Sequence, residues 1–343
     1  DFIESPSYSI CVLLSLWQLV RKSGVAIIVK NKLVNIQEID SSHPLVSIMI
    51  PTYNRPELFE KTLQSALAQS YDNIEILVND NSTNEDTSTL IRKYECDSRL
   101  RYYRNINAKC KEDNFRPFEH IAKGEYLQWC MDDDVLHRDK ISMMVSVMML
   151  NPHITLTSSQ RGFIDENGNF LEPMRETIIK DDVIGRGYKG NAIGNYMLKE
   201  ISNLIGEPSA ALFRRSDLKH HYWQADCRGY KTISDVVMWL ELLEKGDLFL
   251  FKEPLSYYRC HSQQEGQQPE IILLSRVEWL KLLQEYYERH VFISRDDYIY
   301  GLRKLRENYL SIKYNQRYMS AANYSAYCEC MELIPEIIFS INK

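Results

Sequence analysis

Three consecutive aspartates, Asp132, Asp133 and Asp134, follow the apolar run Tyr126–Cys130. Like charges a few ångströms apart raise one another's pKa, and all three ionise cheaply only beside a cation. Hard oxygen donors of this kind suit Mg²⁺ or Mn²⁺. Such an ion takes one or two protein carboxylates and completes its shell with phosphate and water. An isolated Asp-Asp-Asp also reads as a solvated acidic turn or a helix cap, but its position straight after a buried strand favours the metal. Two more polar groups follow apolar runs in the same way, Thr52–Arg55 and Asn79–Asn81. No G-x-G-x-x-G follows a strand, and G-x-x-x-x-G-K-[ST] is absent. A nucleotide bound here would have its phosphates neutralised by the metal and by side chains, not by a glycine-rich cradle.

The elements that must carry these groups alternate. Val46–Ile50 reads as a buried strand ended by Pro51. Arg55–Gln69 carries Leu58, Phe59, Leu63, Ala66 and Leu67 at helical spacing, with Pro56 in the first turn. Strand Ile74–Val78, helix Asp86–Tyr94, edge-like strand Leu100–Arg104, helix Asn114–Ala122 and strand Tyr126–Cys130 continue the alternation. This pattern predicts a mostly parallel, twisted sheet with right-handed crossovers. Ligands bind beyond the carboxyl ends of such strands, which is where the three polar groups fall.

The second half is mixed. Strands are expected at Thr155–Ser159, Ala210–Phe213 and Leu248–Phe251, with a turn at Asp165–Gly168 and a helix over Val236–Glu244 ended by Lys245-Gly246. Beyond Pro269 the chain reads as helical: Ile271–Arg289, Asp297–Lys313 and a last segment to about Phe339. Leu273, Leu274, Trp279, Leu282 and Leu283 there suit core packing or a subunit interface. Residues 1–43 form a preamble with a helix over Cys11–Val20, the basic pair Arg21 and Lys22, and the apolar run Val25–Val29. That helix is a packing or linker element, with a membrane-surface helix as the alternative. The expected division is 1–43 preamble, 44–268 catalytic domain (44–135 nucleotide-binding half, 136–268 acceptor-binding half) and 269–343 helical extension.

Composition narrows the classes. The 343 residues are 44% hydrophobic and 26% charged, which excludes disordered, collagen-like and coiled-coil chains. Lys+Arg is 41 and Asp+Glu is 47, a net charge of −6, so no nucleic-acid partner is expected. Eight scattered cysteines lack C-x-x-C spacing and read as reduced thiols of an intracellular protein. The longest apolar stretch, Ile10–Val20, is too short to cross a bilayer and lacks a basic leader region. A cytoplasmic location is therefore expected, with peripheral docking at the inner face of the membrane as an option. The chain starts at Asp1, so an excised or processed chain is expected.

Residues Val46–Asp134 resemble a family 2 glycosyltransferase of the GT-A fold. Val-Ser-Ile-Met-Ile-Pro-Thr-Tyr-Asn-Arg-Pro (46–56) resembles the family's opening strand and nucleotide loop. Leu63–Tyr71, with Ser65, Ala68 and Gln69, is similar to its first helix and the Gln-Ser/Thr-Tyr that follows. Ile-Leu-Val-Asn-Asp-Asn-Ser-Thr (76–83) is similar to the strand usually ending Asp-Asp-Gly-Ser-Thr, with Asn79 replacing the first aspartate. Gly124-Glu125-Tyr126 and Met131–Asp134 resemble the approach to the metal-binding "DXD" element. Farther on, Gly206–Ser209 with Ala210–Arg214 resembles an acceptor-side strand. Ile233–Trp239 resembles the segment that carries the catalytic base, and Tyr258–Gln264 the closing Arg-x-His-x-x-Gln element.

The resemblance implies an α/β, Rossmann-like nucleotide-diphospho-sugar transferase fold, its mostly parallel sheet flanked by helices. It implies metal-dependent, inverting transfer from a nucleotide-sugar, a UDP-sugar, to a glycan or lipid-linked glycan in bacterial surface polysaccharide synthesis. A nucleotidyltransferase and an inactive sugar-nucleotide or glycan-binding module are the alternatives. Pro51, Thr52, Tyr53 and Arg55 would line the nucleotide, and Asp80 would accept from uracil N3–H. Asp133 would ligate Mn²⁺ or Mg²⁺ at the diphosphate, with Asp132 on the nucleotide side and Asp134 at the metal. His261 would be a further metal ligand or phosphate contact, the alternative being a surface-loop histidine. Arg259 would support the diphosphate charge. Asp235 would be the catalytic base, the alternative being a helix N-cap. Trp239 stacks on a sugar or packs in the core, and Glu207 contacts a sugar hydroxyl. The C-terminal helices would mediate any homo-oligomer, and a lipid-linked acceptor motivates docking at a membrane surface.

Overall fold

The computed structural model describes residues 27–29, 32–34, 43–171, 186–219, 228–261 and 264–342. Strands β1 (Ile27–Val29) and β2 (Lys32–Val34) pair antiparallel. The helix expected over Cys11–Val20 lies outside the described residues.

The large sheet is built from β3 (Val46–Thr52), β4 (Ile74–Asp80), β5 (Leu100–Arg104), β6 (Tyr126–Trp129), β7 (Val135–Leu136), β8 (Ile154–Ile164), β9 (Phe170–Leu171), β10 (Arg186–Tyr188), β11 (Leu212–Arg214) and β12 (Asp247–Arg259). Its path is β10-β12-β8-β11-β6-β3-β4-β5, with β7 on β12 and β9 on β8. β6, β3, β4 and β5 run parallel, and β12 runs parallel to β8. β11 is antiparallel to both of its neighbours, so it joins the two parallel blocks. Every residue of β3 and β4 is buried, as expected of parallel strands covered on both faces.

Helix α1 (Pro56–Leu67) starts on Pro56, whose missing N–H is harmless in the first turn, and buries Phe59, Thr62, Leu63 and Ala66. The helix expected over Asn114–Ala122 is two short ones, after α2 (Asp86–Ile91): α3 (Lys111–Phe115) and α4 (Phe118–Ile121). Pro117 divides them: it has no N–H to donate to the helical ladder, although Arg116 before it keeps helical dihedrals (φ −54°, ψ −39°). Helices α5 (Lys140–Leu150), α6 (Gly190–Glu200) and α7 (Ser234–Lys245) flank the second half of the sheet.

Two strands run longer than the sequence suggests. β8 continues through Gln160 and Arg161, and β12 continues through Lys252-Glu253-Pro254 to Arg259. The β12–β8 register shifts between Phe251 and Ser256, a bulge that accommodates Pro254. This extension is what delivers Arg259 and His261 to the carboxyl edge.

The tail forms α8 (Pro269–Glu288), α9 (Arg295–Arg306), α10 (Tyr309–Lys313), α11 (Gln316–Met319) and α12 (Tyr324–Ile341). The single helix expected over Asp297–Lys313 breaks at Glu307-Asn308, where asparagine is a weak helix former. Leu273, Trp279, Leu282 and Leu283 belong to one core with Leu198, Trp239 and Leu243, so they are committed to packing within the chain. A second core joins β3 and β4 to α1 and α5 through Ile48, Ile76, Phe59 and Met144. Among the described residues, no helix is long and apolar enough to cross a membrane. Cys96, Cys110, Cys130, Cys260, Cys328 and Cys330 are free thiols.

Gly124 fixes the start of β6 against β3. Its N–H donates to Ser47 Oγ at 2.8 Å, and Ser47 Oγ donates to the buried Glu75 Oε1 at 2.6 Å. A Cβ at 124 would lie 2.5 Å from Ser47 N and 2.7 Å from Tyr126 O. Gly124→Ala is expected to destabilise the protein by about 1–3 kcal/mol through overpacking. A lower denaturant midpoint with an unchanged slope would register this.

Candidate active site

The carboxyl ends of β3, β4 and β6 share one edge, with Thr52 paired to Asp80 in register. β6 runs directly into Asp132–Asp134, and the three carboxylates are sorted to different partners. Asp132 Oδ2 accepts from Thr52 Oγ1 at 3.0 Å and from Tyr53 N at 3.2 Å. Asp133 Oδ2 meets Arg55 Nη1 and His261 Nε2, each at 3.0 Å. Arg55 Nη1 also lies 3.6 Å from Asp132 Oδ1. Asp134 Oδ1 accepts from Arg259 N at 3.3 Å, and Thr62 Oγ1 donates to Asp134 O at 2.7 Å.

Burial, then the charge of Asp133, raises the pKa of both Asp132 and Asp134. Arg55 and the Tyr53 and Thr52 donors pull Asp132 back, and a Ser209 hydrogen bond pulls Asp134 back. Asp134 faces inward and acts as an anchor between β6 and β12. Asp133 is the carboxylate on which Arg55 and His261 converge.

Arg55 is presented by a pinned turn. Asn54 takes φ 53°, a left-handed conformation asparagine tolerates. Its N–H donates to Ser82 Oγ and its Oδ1 accepts from Thr83 N, both at 2.8 Å, tying the loop after β3 to the loop after β4. Tyr53 is 49% exposed and stands free to meet a ligand, whereas Pro51 is buried inside β3 opposite Asn79.

Asp80 is fully covered. Its carboxylate accepts from Ser82 N at 2.8 Å, Tyr102 OH at 2.6 Å and Arg104 Nη1 at 2.8 Å. Asn79 is also buried and donates to Asn114 O and Oδ1 at 2.7 and 2.9 Å. Contact between Asp80 and a base therefore requires one of these donors to move. Arg259 is likewise fully engaged with main-chain carbonyls. Nε donates to Asp133 O at 2.8 Å, and Nη1 donates to Asp165 O and Glu166 O at 2.9 and 3.2 Å. It clamps the acidic turn to the β8–β9 turn. His261 has a buried side chain, which removes the surface-loop alternative.

Asp235 lies in the first turn of α7, whose N-cap position is Ile233, so the N-cap alternative does not hold. Asn203 Nδ2 donates to Asp235 Oδ2 at 2.8 Å and to Gly206 O at 3.1 Å, and Asn203 Oδ1 accepts from Gly206 N at 3.0 Å. Burial pushes the Asp235 carboxyl up to about 6, against the helix's own first amides, with the Glu207 charge adding to the rise and Lys111 opposing it. Glu207 pairs with Arg161, and its charge raises the carboxyls of both Asp134 and Asp235. Trp239 is buried, donates to Gly206 O at 3.1 Å and packs edge-on against Phe213, so it belongs to the core.

The sequence reading assigned no role to Tyr102, Arg104, Arg161 or Asn203, and placed Ser209 only within the Gly206–Ser209 motif. Tyr102 and Arg104 are two apart on an edge strand and so share a face, which was a usable signal. Asn203 and Ser209 sit in a loop whose pattern carries none.

The model of "Glycosyl transferase family 2" matches residues 47–222. Residues 1–349 of S. aureus TarS, solved in complex with UDP-GlcNAc, superpose with a TM-score of 0.58 at 12% identity, covering 86% of this chain and 83% of that one. That likeness fixes the fold class as GT-A. The family match spans more than half of the chain, and the chain belongs to glycosyl transferase family 2. An uncharacterized glycosyltransferase of Rickettsia felis is 36% identical over 131 residues, 37% of this chain and 21% of the relative. The Escherichia coli UDP-Glc:alpha-D-GlcNAc-diphosphoundecaprenol beta-1,3-glucosyltransferase WfaP is 29% identical over 221 residues, 64% of this chain and 78% of that protein. The matched stretch spans about a fifth of the length of the Rickettsia bellii and Rickettsia felis relatives.

Asn203 ties Asp235 to the Gly206 turn, where Gly206 takes φ 102°. Asn203→Ala is expected to destabilise the fold by about 1–3 kcal/mol, because the groups it leaves are partly buried. Equilibrium urea unfolding measures the loss.

Proposed function

We propose that this chain transfers a sugar from a nucleotide-activated donor, a UDP-sugar, to a glycan acceptor with inversion at the anomeric carbon. The observation that carries the reading is the convergence of Arg55 and His261 on Asp133 Oδ2, at the carboxyl edge of a GT-A sheet. The WfaP name supports a UDP-sugar donor and an acceptor on a lipid diphosphate in surface polysaccharide synthesis, which would bring the protein to a membrane surface.

Among the described residues, no three His, Cys, Asp or Glu side chains form a metal cage. The donor set still suits an ion held mainly by its ligand. Asp133 Oδ2 and His261 Nε2 are 3.0 Å apart. Adjacent ligands of an octahedral ion with bonds of about 2.1 Å are separated by about 3.0 Å. Asp133 and His261 would hold Mn²⁺ or Mg²⁺, which when bound neutralises charge on the departing diphosphate. Arg55 would turn from Asp133 to the diphosphate, and Tyr53 and Thr52 would border the nucleoside. Asp235 takes the proton of the acceptor hydroxyl as its oxygen attacks the anomeric carbon and the bond to the nucleoside diphosphate breaks.

A base must be ionised, and the Asp235 carboxyl titrates near 6. The rate is therefore expected to rise with pH through about 6 and to fall about tenfold per unit below it. Asp235→Asn is expected to lower kcat by about 10²–10⁴. The amide can still accept from Asn203, so UDP binding by calorimetry should persist. Wild-type transfer by this variant would sink the assignment. Removing divalent ions with EDTA should abolish transfer, and Mn²⁺ should strengthen UDP binding. A donor panel of UDP-Glc, UDP-Gal, UDP-GlcNAc and UDP-GalNAc identifies the sugar, and no transfer or hydrolysis from any would favour a binding module.

A further inference from the structure

We propose that Glu278, on α8 of the C-terminal region, is a positioning residue for Asp235. The inference rests on the reading of Asp235 as the base. The first amides of a helix lack internal acceptors. α7 begins after Ile233, which has no side-chain oxygen, and no side-chain cap is formed there. The amides of the three residues that lead into the helix find their acceptor on another helix, α8. Glu278 is 3% exposed. Its Oε1 accepts from Lys231 N at 2.8 Å. Its Oε2 accepts from Thr232 N at 2.9 Å, Thr232 Oγ1 at 2.7 Å and Ile233 N at 3.2 Å. One buried carboxylate thus takes four donors from the three residues that lead into α7. Asp235 follows two residues later.

The same stretch is held elsewhere by α8. Tyr230 OH donates to Glu285 Oε2 at 2.7 Å, and Lys281 Nζ lies 4.5 Å from the Tyr230 ring centre and donates to Arg228 O. Ser234 Oγ closes back on Tyr230 O at 2.8 Å. Two restraints then define where the Asp235 carboxylate stands. Asn203 fixes it from the side, and Glu278 fixes the start of its helix. A negative group at a helix N-terminus is also favourable to the helix dipole. The tail of the chain therefore belongs to the acceptor side of the site.

The test compares Glu278→Ala, Glu278→Gln and Thr232→Val with wild type and with Asp235→Asn. Glutamine keeps one accepting oxygen but points an amide donor at backbone N–H groups. Thr232→Val removes one donor of four. The expected order of kcat is wild type, Thr232→Val, Glu278→Gln, Glu278→Ala, the last lower by about 10- to 100-fold, since small misplacements of a reacting group have effects of that size. UDP affinity by calorimetry should stay at the wild-type value throughout. The charged groups acting on Asp235 are Glu207 and Lys111. Both remain, so loosening the helix start admits water and should move the acid limb of the pH profile downward. If Glu278→Ala fails to fold, the two milder variants carry the comparison. Wild-type kcat and an unmoved acid limb in folded Glu278→Gln and Thr232→Val would overturn the inference, even if their melting temperatures fall. Wild-type transfer by Asp235→Asn would instead overturn the base reading itself.

Discussion

Three adjacent carboxylates at the end of a buried strand can share a small volume only if each meets different donors. The chain meets this constraint by giving Asp132 to the loop after β3, Asp133 to Arg55 and His261, and Asp134 to the β12 backbone. Each assignment recruits a distant segment. The pinned Asn54 turn exists to aim Arg55, and the bulged end of β12 exists to bring Arg259 N and His261 to the acids. Behind them, fully buried Lys140 donates to Ala210 O at 2.7 Å, and the Asp134 charge helps to keep it protonated against burial.

The parallel block of the sheet was legible because its strands are continuous apolar runs ending in polar residues. Ile48, Ile76 and Leu127 can only be buried, and Thr52, Asp80 and Asp132 follow them on one edge. The extension of β12 was not legible, since Lys252-Glu253-Pro254 reads locally as a break. It persists because the neighbouring β8 runs on beside it and a bulge absorbs the proline. Here tertiary pairing overrides local preference.

Residue roles were less legible than residue placement. Motif position brings Asp80 and Arg259 to the edge, yet side-chain register decides what they touch. Tyr102 and Arg104 both donate to Asp80 Oδ2, and three carbonyls accept from the guanidinium of Arg259. Both residues tie neighbouring segments of the site together. His261 went the other way: its sequence surroundings are polar, but its side chain is buried against Asp133. Trp239 sits one helical turn from Asp235, and that spacing let a sugar-stacking role be considered. Its indole N–H instead supports the Gly206 turn.

The two halves of the site communicate through charge as well as through contact. Glu207 raises the carboxyls of both Asp134 and Asp235, and Arg161 beside it limits the accumulated negative charge. A general base works best when its pKa lies near the working pH, because a weaker acid in its conjugate form takes a proton more readily. For Asp235, the proposed base, burial and the nearby Glu207 move the carboxyl in that direction, while the first amides of α7 and Lys111 oppose the rise. Asp235 stands two residues past the Ile233 cap position, where its carboxylate accepts from Asn203 Nδ2 and from the first amides of α7, those of Asp235 and Val236. A carboxylate offers about four lone-pair positions, so it keeps capacity for a proton.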